Sequence, residues 1–520
     1  MLLPQIEVNQ LKTEKMKFNI LKRKANVVSN YEGAKSFKLT PEMELYSAVV
    51  TAGLSDSFYE KSDERLSRIR ELMIKNSPEY VGKLAVYTRN EMYMRSVPMV
   101  LAVELAKANS GNTVVGKTVN GIVNRADEIT ELLSYYQMAN GRTGTKKLNK
   151  LSKQIQKGLS DAFNRFDEYQ FAKYNSNAEV KLRDALFLVH PKAKDESQQT
   201  IFNKIAANEL AVPYTWETEL SALGQVKYEN ENAKAEAFKM KWEELIDSGK
   251  IGYMALMRNL RNIVEAKVST AHVRKVCDFL SNEKAVANSK QLPFRFLSAY
   301  REVKGLKSEY VTMILNALED AVILSAKNLN GFDETTRVLI ACDVSGSMQK
   351  GVSLKSKVLL FDIGLMLGML MQSKCKRVVT GMFGERWKII NMPNRGVLSN
   401  VDQYYKREGE VGYATNGYKV IDDLINRNVV MDKIMLFTDC QMWNSKNDGS
   451  SIEQSWKNYK KVAPNAKLYL FDLAGYGNIP LSFQRDDVCL IAGWSDKVFD
   501  VLHSIENGES AVEKIKQVVL

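Results

Sequence analysis

From Leu39 to about Leu329 apolar residues recur at spacings of three and four, and after Asp333 that rhythm gives way to short apolar runs alternating with amphipathic stretches. A three-and-four spacing gathers apolar side chains on one face of a helix, so the first region is predicted to be wholly helical. Polar breaks such as Ser55-Asp56-Ser57 and Asn109-Ser110-Gly111 separate the helices. Successive helices without intervening strands predict stacked helical hairpins, each burying one face on its neighbours and leaving long curved surfaces. No clean period accompanies the pattern. In the second region Arg337 to Val344, Arg377 to Phe383, Lys433 to Thr438 and Lys467 to Ala474 read as strands. Ser353 to Met371, Lys419 to Ile425 and Ile452 to Tyr459 read as the helices between them. That alternation predicts a doubly wound, mainly parallel α/β sheet, with ligand sites at the carboxyl ends of its strands. The expected organisation is a segment 1–29, a helical-repeat region 30–333 and an α/β region 334–520.

With 520 residues, 45% of them hydrophobic, the chain can bury more than one core. The net charge of +12, most of it carried before Asp333, is compatible with a polyanionic partner without requiring one. Five widely spaced cysteines with no CxxC pair argue against a zinc ribbon or a disulfide framework, and for a reducing compartment. The N-terminus lacks a signal-peptide pattern. Val358 to Met371 is apolar, but it is too short to span a bilayer and contains Asp362. A cytoplasmic protein with no membrane association is expected.

The run Arg337 to Ala341 leads straight into Cys342-Asp343-Val344-Ser345-Gly346-Ser347, which places one carboxylate and two hydroxyls at a strand's carboxyl end. Thr415 and Asp439 follow on later loops at the same end of the sheet. Oxygen ligands of this kind suit Mg2+, which takes about six at near-octahedral angles and keeps several waters. Asp343 and its serines could instead simply cap the next helix. The five positions resemble the metal-ion-dependent adhesion site of von Willebrand factor A domains. That resemblance implies a coordination position left open for an acidic group from a partner.

Lys146, Lys150, Lys153 and Lys157 are spaced four, three and four apart and would form one stripe of a helix, with Leu148, Leu151, Ile155 and Leu159 on another. Arg183, His190 and Lys192 lie in a further basic cluster that could track a phosphate backbone. The alternative is a solvated lysine face with no partner. Arg258 and Arg261, one helical turn apart, could bind phosphate or stack on bases, or could pair with acids of a neighbouring repeat. Gly111 to Thr118 satisfies the phosphate-loop expression G-x-x-x-x-G-K-[ST], but the preceding segment reads as a helix, whereas a phosphate loop needs a strand there. His190, His272 and His503 sit in no triad context, so Ser345 and Ser347 read as ligands and no enzymatic activity is expected.

Four stretches carry a wider resemblance: Tyr80 to Tyr87, Phe166 to Tyr174, Leu182 to Lys192 and Gly252 to Asn262. They resemble the Ro autoantigen (TROVE) family, in particular bacterial Ro proteins, and the likeness extends over nearly the whole chain beyond about Asn30. It implies an all-α ring of HEAT-like repeats whose ends are joined by a von Willebrand A domain. It also implies that small noncoding Y-like RNAs bind on a basic outer surface, that single-stranded 3′ ends of misfolded RNAs pass through a central hole, and that polynucleotide phosphorylase acts as a partner. By that carry-over Lys173 and His190 belong to the outer RNA-binding surface, with Arg183 a neighbour. A metal-dependent protein-binding adaptor, with the helices only as a platform, is the competing expectation.

Overall fold

The computed structural model describes residues 27–52, 60–141, 151–175, 179–327, 332–352, 356–444, 450–482 and 486–520. Between Pro41 and Ser325 the described residues form eighteen α-helices and no strand. Their ends follow local rules. Thr40, Ser77, Asp167, Asp195 and Asn230 each accept the backbone N–H of the third residue on, and Pro41, Pro78 and Pro293 stand in first turns, where no N–H donor is needed.

The close approach of three helices explains the phosphate-loop letters. Val114–Ile122 follows the helix Ser96–Ala108, not a strand, and Gly116 lies inside it. A methyl group on Gly158 of the helix Lys153–Phe163 would come within 2.6 Å of the Gly116 carbonyl, and one on Gly82 within 2.5 Å of Thr118 Oγ1. Gly116 and Thr118 are therefore packing residues that let helix backbones come close together.

Among the described residues nine strands complete the fold: β1 (Val27–Ser29), β2 (Lys35–Lys38), β3 (Arg337–Asp343), β4 (Arg377–Phe383), β5 (Trp387–Ile389), β6 (Lys433–Thr438), β7 (Lys467–Asp472), β8 (Asn478–Ile479) and β9 (Val488–Ala492). Six of them form one sheet in the order β5-β4-β3-β6-β7-β9, parallel throughout except for β5 at the edge. From Val338 to Asp343 every residue of β3 is buried, those pointing to either face alike, so both faces are covered, as parallel sheets require. Gly364 and Gly368 let the helix Leu360–Lys374 lie against Phe437, Ile340 and Cys342. This is the apolar segment around Asp362, and no helix among the described residues is long and apolar enough to cross a membrane. All five cysteines are free thiols.

The helical array begins and ends on this α/β module. Pro41–Val50 packs on β9, and Pro78–Asn90 packs on Ala511–Lys516. At the other end Pro293–Lys304 packs on Leu360–Lys374, and Val311–Ser325 packs on Val397–Tyr405. Arg301 forks onto the fully buried Asp362 at 2.6 and 2.8 Å, and Glu319 accepts the N–H groups of Leu398 and Ser399, capping the helix that follows Gly396.

Residues near the start of the array meet the module in an arrangement that the sequence reading did not foresee. β1 and β2 form a hairpin that pairs through β2 with β8, so residues 27–38 extend a small sheet of the C-terminal region. The boundary drawn after residue 29 falls inside that hairpin.

Candidate metal centre and nucleic-acid surface

The carboxyl ends of β3 and β6 lie side by side and carry Asp343 and, one residue past the strand, Asp439. All five candidate ligands are buried, Asp439 completely. Asp343 Oδ1 accepts the Ser345 N–H at 2.9 Å and its Oδ2 accepts the Thr438 hydroxyl at 2.6 Å, while Ser345 Oγ and Ser347 Oγ stand 3.2 Å apart. The loop bearing Thr415 is stitched to both neighbouring loops: Gly346 N–H donates to the Tyr413 carbonyl, and Trp443 N–H donates to that of Thr415. Asp439 Oδ1 accepts the Gln441 N–H and the Ser347 hydroxyl stands close enough to Asp439 to offset part of the rise in its pKa, but buried Asp439 Oδ2 has no hydrogen bond of normal geometry.

Burial is the main cause that raises the pKa of both acids, and for Asp439 the charge of Asp343 adds to it. Two desolvated carboxylates grouped with the hydroxyls of Ser345 and Ser347 and with the loop of Thr415, one carboxylate oxygen lacking a hydrogen bond, form a donor set that fits a hard divalent cation. No group of three or more His, Cys, Asp or Glu suited to a metal occurs among the described residues. The set here has only two carboxylates and relies on hydroxyls for the rest.

Several supporting residues carry no signature in the local sequence. The Asn30 side-chain amide donates to the Met442 carbonyl at 2.8 Å, and Tyr31 N–H donates to Gln441 Oε1 at 3.0 Å, so the β1–β2 turn grips the loop of Asp439. One strand further along, Asp472 accepts the Ser47 hydroxyl at 2.6 Å together with the N–H groups of Ala474 and Gly475. Arg65 and Arg68, which share Glu60, donate to the Ala474 and Gly475 carbonyls. The contacts of Asn30, Tyr31, Ser47, Arg65 and Arg68 with residues 441–475 span more than 400 positions, a distance that no periodicity or motif spacing reports.

The predicted basic residues fall into three settings. Lys146 and Lys150 lie outside the described residues. Lys153 and Lys157 project from the outer face of their helix, whose Ile155, Leu159 and Phe163 are buried, and Lys157 pairs with Asp161 at 2.6 Å. The segment after the helix Leu182–Val189 runs alongside: Gln156 donates to the Val189 carbonyl, and Asn164 donates to that of Lys192. Exposed His190, in left-handed conformation at the helix end, and exposed Lys192 thereby join Lys153 and Lys157 on one face, with Arg183 exposed on the same short helix over Phe187.

Lys173 and Arg258 meet elsewhere, in a cleft of about 330 Å³ walled by Tyr169, Tyr174, Tyr214 and Trp216. Arg261 is tied to Glu265 at 2.8 Å and to Glu302 at 3.2 Å, the neighbour-pairing alternative considered for it. The aromatic wall went unnoticed because its residues come from separate helices.

Comparison with known proteins supplies the lineage. The chain resembles telomerase protein component 1 of Mus musculus and of Rattus norvegicus, 24% identical in each case over 311 residues; the match takes in 45% of this chain and 11% of each relative. The chain thus spans about a tenth of the length of those relatives. The crystal structure of the Deinococcus radiodurans Ro (RSR) protein shares the fold with a TM-score of 0.57 at 17% identity, covering 90% of this chain and all of that one. The TROVE domain profile matches residues 10–238 and 206–312, more than half of the 520 positions, and the chain belongs to the TROVE domain family.

Proposed function

We propose that this protein is a ribonucleoprotein component that binds small noncoding, Y-like RNA on the basic face around Lys153, Lys157, Arg183, His190 and Lys192. It admits the single-stranded 3′ ends of misfolded RNAs to the interior of the helical circuit. It is a binding protein for RNA quality control and not an enzyme, with polynucleotide phosphorylase as a partner nuclease. The observation that carries this reading is membership in the TROVE family, which implies RNA binding. The clustering of Lys153, Lys157, His190 and Lys192 on adjoining elements supports it, because side chains gathered on one face can follow consecutive phosphates.

In the same reading the α/β module is a von Willebrand factor A-like domain, and Asp343, Ser345, Ser347, Thr415 and Asp439 hold Mg2+. The ion would supply a Lewis-acidic position able to take an anionic oxygen from a partner. The chain's own part is to keep the oxygens buried and aligned: Thr438 and Ser345 orient Asp343, and Gln441 orients Asp439. A metal-dependent protein adaptor is the second reading, favoured by the unsatisfied Asp439 Oδ2. Filter binding of a stem-loop RNA with a single-stranded tail separates the two. Affinity that falls steeply between about 50 and 200 mM salt is expected, and absent or salt-indifferent binding rejects the RNA reading.

A further inference from the structure

The wall of the aromatic cleft at Arg258 and Met254 is shared with a second cleft of about 490 Å³, floored by Met257, Leu260 and Val303 and edged by Arg295. Lys173, Lys250 and Arg258 have no ion-pair partner among the described residues, nor does Arg295. Of the acids at the two clefts, Glu217 stands in the wall of the first, Glu302 is held by Arg261, and Glu244, outside the lining, accepts the Tyr214 hydroxyl and pairs with Lys241. Arg258 bears on Arg295 electrostatically: its positive charge, after burial, depresses the Arg295 pKa. Two guanidiniums that repel one another beside an apolar floor, neither of them ion-paired, make a setting that an anion would relieve.

The first cleft offers the complement. Tyr169, Tyr174, Tyr214 and Trp216 all keep part of their surface open, and Lys250 lies over the Tyr214 ring at 5.0 Å. Trp216 is braced by a near-parallel stack on Trp242, so it presents a fixed face. Partly open aromatic faces beside a cation stack well on planar, electron-poor rings, and the volume falls in the range of about 300–1,000 Å³ usual for small-ligand sites.

We infer that the two joined clefts bind one nucleotide as a unit, the base stacked in the Tyr214–Trp216 cleft and its phosphate held between Arg258 and Arg295. The inference rests on the RNA-binding reading and deepens it by naming a site for a single unpaired residue, distinct from the lysine face. The shared chemistry is a nucleobase joined to a phosphate, whether it belongs to an unpaired stretch of RNA or to a free mononucleotide.

The test uses the full chain and three probes in fluorescence anisotropy or competition: hexauridylate, an abasic sugar-phosphate hexamer of equal charge, and uridine monophosphate. Hexauridylate should bind roughly tenfold or more tighter than the abasic strand, since one stacked base contributes about 1–3 kcal/mol. Arg295→Gln should weaken hexauridylate about tenfold and flatten its salt dependence by about 0.7 per lost phosphate contact. Tyr214→Leu should erase the preference for the base-bearing strand. Competition by uridine monophosphate, lost in Arg295→Gln, assigns the site to free nucleotides; failure to compete while hexauridylate still responds to both substitutions assigns it to RNA strands. Equal affinity for abasic and base-bearing strands, or indifference to Arg295→Gln, overturns the inference. A stem-loop RNA bound by wild type and Arg295→Gln alike leaves the RNA-binding reading standing in that event, whereas a wild-type chain that binds no RNA overturns the RNA-binding reading itself.

Discussion

The candidate metal centre and the lysine face use charge in opposite ways. Asp343 and Asp439 are withdrawn from water and held by hydroxyl and N–H groups of the strand ends and loops around them, with only Asp439 Oδ2 left without a hydrogen bond. Lys153 and Lys157 stand in solvent on a helix held by its inner face, His190 and Lys192 on the segment that follows the helix Leu182–Val189, and the ion pair of Lys157 joins two well-exposed side chains. A buried charge depends on every neighbour, and losing one partner leaves a desolvated atom. A solvated charge acts in a sum, and losing one member removes only its share.

The contrast can be broken at either end. Asp439→Ala should abolish Mg2+ binding in calorimetry while circular dichroism stays unchanged, and binding that persists would remove Asp439 from the ligand set. Arg301→Ala should lower the unfolding free energy by about 3–5 kcal/mol, because Asp362 is left charged and fully buried. A denaturation midpoint close to wild type would mean that Asp362 finds another partner. Gly158→Ala, on the very helix that carries the lysines, should cost about 1–3 kcal/mol, since the added methyl meets the Gly116 backbone, which cannot step aside. The smallest effect is expected from Lys153→Ala with Lys157→Ala. Their melting temperature should match wild type, and the salt dependence of stem-loop binding should flatten by about 0.9 for each phosphate contact removed.

The same contrast explains what the sequence revealed. Asp343, Ser345 and Ser347 sit within five residues at the end of an apolar run, and Thr415 and Asp439 follow on later loops, so strand periodicity alone placed them near one another. β3, β4, β6 and β7 were legible for the same reason, being mostly apolar and, past their first residues, largely buried on both faces. β5 and β8, at three and two residues, are too short to show any period. The lysine stripe at 153 and 157 was equally plain as a helix face. Nothing in its spacing reports that residues 190–192 lie beside it, because that register is set by Gln156 and Asn164 reaching across to backbone carbonyls. Lys173 was grouped with His190 by likeness, yet it lines the cleft with Arg258, which becomes apparent only when separate helices are brought together.

The hairpin that grips the Asp439 loop bears on how the chain is made. Asn30 and Tyr31 wait for partners about 410 residues later, and Tyr46 waits for the carbonyl of Ala492. Once both halves exist, so long a span adds little to the cost of closure, since each doubling of a loop adds only about 0.6 kcal/mol. The delay is kinetic: Tyr46 and Val50 are buried in the finished fold, and β9, on which their helix packs, is the last strand to be made. Apolar surface left open in this way during synthesis is prone to aggregation.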